Sequence, residues 1–272
     1  MGDVIKRGNA DGGLLLPKRS EVLISLFSWY THRYVRRHFH AVRASHEEPG
    51  GPDIEGPLLV YLNHPSWWDP LICLVAALHY FPDRKHYAPM DSRELERYRF
   101  FSKLGFFGVE PNSRRGAVTL LRVGGAVLAQ PNAALWITPQ GRFADPRERP
   151  LDLRPGLARL VRRAGNCTLL PLAVEYPFGE ERLPEVLLHF GKSINAADFT
   201  SGNGAELECL IAERLEAAQE ALAARAIARD YSEFKVILRS REGVGFFYDL
   251  WRRIRAAFRG EQLRLGHGKA SK

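Results

Sequence analysis

His64 and Asp69 are the residues whose types and spacing point most directly to chemistry, in the run Leu58-Leu59-Val60-Tyr61-Leu62-Asn63-His64-Pro65-Ser66-Trp67-Trp68-Asp69-Pro70. The apolar stretch reads as a strand, a polar turn follows it, and Pro70 suits the first turn of a helix. In open α/β sheets, ligands bind beyond the carboxyl ends of strands. The short gap between imidazole and carboxylate is one that a turn closes. The carboxylate then accepts a hydrogen bond from Nδ1 and fixes the tautomer, leaving Nε2 to take a proton from a substrate hydroxyl. No serine or cysteine sits in a G-x-S-x-G setting, so the pair is expected to activate that hydroxyl directly, without a covalent enzyme intermediate. The competing reading has His64 capping a turn and Asp69 capping the helix.

A second group follows the apolar run Ala134–Thr138: Arg142, Arg147, Arg149 and Arg154. Guanidinium groups bind phosphate bidentately, so an arginine-rich loop after a strand fits a phosphorylated substrate. The interspersed Asp145, Glu148 and Asp152 fit a solvated loop of ion pairs equally well. Trp67 and Trp68 read either as walls of an apolar substrate channel or as packing at a helix entry. Cys73, Cys167 and Cys209 have no ligand spacing and read as reduced core thiols, and no metal site is expected.

The elements that must position these residues follow from periodicity. Ser20–Arg43 reads as a helix, with Leu23, Leu26, Phe27, Tyr30 and Tyr34 on one stripe. After a Gly/Pro-rich loop, strands are expected at 58–62, 86–89, 106–110, 134–138, 168–175 and 186–190. Helices are expected at 70–80, 93–103, 116–130, 155–164 and 205–228, and Gly124-Gly125 reads as a close-packing point. A last basic helix, Gly245–Arg259, carries Phe246, Phe247, Leu250, Trp251, Ile254 and Phe258 on one face. The alternation predicts an α/β fold: a twisted, largely parallel sheet flanked by helices, with amphipathic helices at both ends. The expected organisation is an N-terminal amphipathic segment over 1–45, an α/β domain over 46–230 and a C-terminal basic amphipathic segment over 231–272.

The chain has 272 residues and a formal net charge of +8. That excess fits an anionic surface as well as solubility. No nucleic-acid-binding motif accompanies it, so nucleic acid is not an expected partner. No stretch approaches the ~20 apolar residues of a membrane span, and the N-terminus lacks the apolar core of a signal peptide. The two basic amphipathic ends instead suit an interface, with cations for headgroups and an apolar face for the acyl boundary.

The His64–Asp69 segment resembles the H-x-x-x-x-D motif of the glycerolipid acyltransferase family, which includes lysophosphatidic acid acyltransferases. Gly105-Phe106-Phe107-Gly108-Val109-Glu110 looks like the family's second block and Ile137-Thr138-Pro139-Gln140-Gly141-Arg142 like its third. Leu153-Arg154-Pro155-Gly156 resembles the basic stretch that follows, and Leu169-Leu170-Pro171-Leu172-Ala173-Val174 looks like the fourth block. The resemblance implies that His64 is the general base and Asp69 its orienting partner. It implies transfer of a fatty acyl group from acyl-coenzyme A or acyl carrier protein to a hydroxyl of a lysophospholipid or glycerol-phosphate-type lipid, with no bound cofactor. It further implies acceptor binding by Gln140, Gly141 and Arg142, and a peripheral location on the cytoplasmic face of a membrane. Gln140 stands where the family usually has Glu. Pro111 stands where the second block usually has Arg, with Arg114 and Arg115 the nearest replacements. These departures touch the acceptor more than the dyad, so a glycolipid, ornithine-type lipid or pigment glycoside is the alternative acceptor. A non-catalytic membrane-binding relative is the alternative from another class.

Overall fold

The computed structural model describes residues 16–45, 54–199 and 204–240. The chain divides into two units, Met1–Arg239 and Ser240–Lys272. The expected helix Gly245–Arg259 falls outside the described residues.

Among the described residues, nine strands form one sheet: β1 (Ala41–Ser45), β2 (Leu58–Leu62), β3 (Lys85–Asp91), β4 (Phe106–Val109), β5 (Ala133–Ile137), β6 (Thr168–Glu175), β7 (Val186–Phe190), β8 (Ile194–Asn195) and β9 (Phe234–Arg239). Their order is β4-β3-β5-β2-β6-β7-β1-β9, with β8 beside β6. The five strands from β4 to β6 are mutually parallel. β7 turns antiparallel to β6 and pairs parallel with β1, and β9 closes antiparallel on β1. The carboxyl ends of β2, β5 and β6 therefore share one pole with the amino end of β1.

Among the described residues, six α-helices cover the faces: α1 (Glu21–His38), α2 (Asp69–Tyr80), α3 (Ser92–Arg97), α4 (Arg114–Leu128), α5 (Gly156–Ala164) and α6 (Gly204–Ala228). Side chains alternate across a strand, and β2 shows the consequence. Leu58, Val60 and Leu62 pack with Ile72, Val75 and Ala76 of α2 and Val35 of α1. Leu59 and Tyr61 pack on the other side with Val127 of α4, Leu160 of α5 and Ile211 of α6. A strand buried on both faces reads as a continuous apolar run, and β2 has that pattern. At Gly124 an added Cβ would meet Leu160 at 3.0 Å, so α4 and α5 do approach closely there, whereas Gly125 faces open space.

Several expectations are corrected. The helix predicted to reach Arg43 ends at His38, and Ala41–Ser45 is β1, buried along its whole length. Phe39 turns extended and His40 N–H bonds Pro184 O. Arg43 enters the interior because Glu185 accepts from its Nε at 2.8 Å. At the other end, Phe234–Arg239 is β9. The sheet therefore runs from 41 to 239, beyond the expected 46–230 boundaries. The helix predicted over 93–103 is α3 followed by a 3-10 helix, Arg99–Leu104, which Gly105 terminates in a left-handed conformation. Cys167 is buried, but Cys209 is exposed on α6 and is no core thiol.

Candidate active site

β2 delivers the site. Its ladder to β6 runs to Leu62, opposite Leu172. Asn63 then continues the join with its side chain: its amide donates to Val174 O at 3.0 Å, and its carbonyl accepts from Val174 N at 2.9 Å. This clamp replaces the lost ladder bonds where the chain leaves the sheet, and fixes His64 immediately after it.

The turn Pro65–Trp68 folds back so that α2 begins on Asp69. His64 Nδ1 and Asp69 Oδ2 are 2.5 Å apart. Asp69 is 2% exposed. Its Oδ2 also accepts from Ser66 N–H at 3.2 Å, and its Oδ1 accepts from the Tyr176 hydroxyl at 2.5 Å. An ionised carboxylate only accepts, so the bridging proton sits on Nδ1 and the lone pair is left on Nε2. Among the described residues, no hydrogen bond uses Nε2. The ring is partly open to solvent, its side chain 21% exposed. An imidazole held in this way can receive a proton from a hydroxyl brought to its open edge.

The loop after β5 leans on this pair. Ala144 N–H bonds His64 O at 3.0 Å, and the Phe143 ring lies 4.3 Å from the imidazole, centroid to centroid. Gly141 has φ +63, and a Cβ there would lie 2.5 Å from Arg154 Nε. That close approach lets Arg154 donate to the carbonyls of Gln140 and Gly141 while its own N–H bonds Pro139 O. Gln140 is 2% exposed, and its Oε1 has no hydrogen-bond partner among the described residues.

The expected site residues thus fall into three groups. His64 and Asp69 meet. Gln140, Gly141 and Arg142 belong to the loop beside them, but Arg142 is paired with Glu148. Arg147 is likewise paired with Asp145 and Arg149 with Glu216. Arg114 and Arg115 open α4 behind β4, three strand positions from β2. Among the described residues they form no ion pair, and nothing joins them to the dyad.

Sequence reasoning missed Tyr176, the clamp role of Asn63 and the position of Phe143. Only Asn63 carried a signal, as the first polar residue after an apolar strand. The two tryptophans divide: Trp68 packs against Phe39, His38 and Tyr34, while Trp67 is 57% exposed.

A strand-end His–Asp pair beside a glycine turn, on a mostly parallel sheet, is the setting in which comparison with known proteins is informative. A family model described as acyltransferase matches residues 33–175, more than half of the chain. The protein belongs to the acyltransferase family. Among solved structures it is similar to the 1-acyl-sn-glycerophosphate (LPA) acyltransferase PlsC from Thermotoga maritima. The two share 17% identity and superpose with a TM-score of 0.52 over 75% of this chain and 81% of that one, a likeness of fold. No curated protein matches the chain.

Proposed function

We propose that the protein transfers a fatty acyl group from a thioester, on coenzyme A or acyl carrier protein, to a hydroxyl of a lysophospholipid or glycerol-phosphate-type lipid. The observation that carries this reading is the bridge from His64 Nδ1 to the buried Asp69, with no hydrogen-bond partner on Nε2 among the described residues. Nε2 takes the acceptor's proton as its oxygen attacks the thioester carbonyl. The tetrahedral adduct collapses with loss of the thiolate, and the imidazolium returns its proton to that sulfur. Asp69 holds the ring and stabilises its cationic form without taking the proton itself.

Arg114 and Arg115, exposed in the first turn of α4, suit an acceptor phosphate. Two cations there add to the positive dipole end of the helix, whose Gly116 N–H is already capped by the Ser113 hydroxyl. Gln140, Gly141 and Arg142 would then shape the acceptor pocket near His64. A second reading is favoured by the loop itself: Arg142, Arg147 and Arg149 are already neutralised by acids, and Gln140 is uncharged. An acceptor without phosphate fits that side of the site.

The exposed face of α1, with Val22, Leu26, Trp29 and Tyr30, supports peripheral attachment to a membrane, which we place at its cytoplasmic face as part of the same proposal. Arg33, Arg36 and Arg37 on the same helix supply charge for anionic headgroups. No described helix is long and apolar enough to cross a membrane. Thioester turnover measured with lysophosphatidate and with neutral lyso-lipids tests the acceptor. Turnover supported by lysophosphatidate alone upholds the phosphate reading, and turnover supported only by neutral acceptors replaces it with the second. Replacing Arg114 and Arg115 by alanine should raise the lysophosphatidate KM about tenfold or more, the worth of one or two charge-assisted contacts.

A further inference from the structure

A carboxylate held as far from water as Asp69 keeps its charge only where donors replace the lost hydration. Asp69 has three such donors. His64 Nδ1–H and Ser66 N–H both serve Oδ2, and the Tyr176 hydroxyl serves Oδ1 at 2.5 Å. The first is the bond the proposed chemistry uses, and the second is a turn contact within the same segment. The third arrives from the residue just beyond the end of β6, 107 residues away in sequence.

We propose that Tyr176 is a positioning residue for the dyad: its hydroxyl anchors the oxygen of Asp69 that faces away from His64, and so sets both the rotation of the carboxylate and its pull on the Nδ1 proton. This rests on the reading of His64 as general base.

The surroundings of Tyr176 fit that task. It follows β6 directly, two residues after Val174, the residue that Asn63 clamps through both backbone groups. The same clamp therefore fixes the strand end carrying Tyr176 and the strand end carrying His64. The tyrosine ring packs 5.7 Å from Phe39, and Phe39 packs edge-on 4.8 Å from Trp68, the neighbour of Asp69. Both ends of the Tyr176–Asp69 hydrogen bond are thus tied into one aromatic cluster. Burial, followed by the charge of Asp69, holds the phenol well above its ordinary pKa, so the hydroxyl remains a donor throughout the neutral range. The plainer alternative is that a buried phenol has simply bonded the nearest acceptor. The two accounts differ in what removing the hydroxyl does to the imidazole.

A hydrogen bond to Oδ1 spreads the carboxylate charge. Without it Oδ2 becomes more basic, favours the imidazolium, and a higher pH is needed to free Nε2. In Tyr176→Phe the acid limb of the kcat/KM–pH profile should therefore move upward by roughly half to one pH unit. The plateau rate should fall about three- to tenfold. The proton magnetic resonance of the Nδ1–H bridge, assigned by its loss in Asp69→Asn, should move downfield. That resonance requires no substrate, so it tests the contact even if the protein turns over no thioester, an outcome that would overturn the general-base reading by itself. Phe190→Leu disturbs the core elsewhere, at a buried ring packed on Tyr80 and Phe81; it should lower the melting temperature while leaving limb and resonance in place. Tyr176→Phe with an unchanged limb and an unchanged resonance would overturn the proposal. So would Phe190→Leu shifting both as far as Tyr176→Phe does.

Discussion

Two histidines of the same sheet have opposite surroundings. His86 lies near the start of β3, with β5 between it and β2. Its Nδ1 accepts from Trp136 Nε1–H at 3.1 Å, and its Nε2–H donates to Phe81 O at 3.0 Å. Both ring nitrogens are used, and burial pushes its pKa down to about 4. His64 stands at the carboxyl end of β2, with a carboxylate on Nδ1 and no described partner on Nε2. The difference lies in what the second nitrogen faces. At the amino end of the parallel strands an imidazole is consumed as a structural link, and at the carboxyl end one is oriented and left open.

Replacing the carboxylate breaks the comparison most severely. Asp69→Asn leaves the shape of the site but offers His64 a neutral partner, which no longer stabilises the imidazolium. Thioester turnover should fall roughly 10²–10⁴-fold, the range a positioned acid–base group supplies, while circular dichroism stays that of the wild type.

The second effect is on stability. His86→Phe strands the buried indole N–H of Trp136, which should cost about 1–3 kcal/mol, read as a lower urea midpoint with kcat unchanged. The wild type carries a pH signature of the same residue. Between about pH 6.5 and about pH 4 the unfolded chain protonates this histidine and the folded chain does not. Stability therefore falls as pH drops through that window, by a few kcal/mol in all. In His86→Phe this component of the acid dependence should disappear. An unaltered slope between pH 4 and 6.5 would assign the window to other groups.

The smallest expected effect is at the turn that leans on His64. Gly141→Ala places a Cβ at a positive φ and against Arg154, costing about 1–2 kcal/mol. Turnover should drop more than stability does, because Phe143 and Ala144 hang from that turn. A loss confined to stability would detach the loop from the chemistry.

The parts of this account legible in the sequence are those whose causes are local. β2 begins and ends where its apolar run does, because a strand covered on both faces reads as a continuous apolar run. The dyad was legible because a strand, a turn and a helix start lie within one short segment. β1 was hidden because an arginine sits in its centre, made tolerable in the interior by Glu185, 142 residues away, and by the Tyr231 ring 4.9 Å from the guanidinium. β9 was hidden behind the basic sequence that follows it. Tyr176 carries no spacing signal at all: the sheet order β2-β6 places it beside Asp69, and strand order cannot be read from hydropathy. The ion pairs that occupy Arg142, Arg147 and Arg149 were open in the sequence, where phosphate ligands and a solvated loop look alike.

The central claim is that the open nitrogen of His64 drives acyl transfer. The most direct measurement is release of free thiol from acyl-coenzyme A and from acyl carrier protein, by wild type and His64→Ala, with and without acceptor lipid. The account predicts acceptor-dependent release by the wild type and a loss of at least about 10³-fold in His64→Ala with the fold intact. Equal release by the two proteins would contradict it.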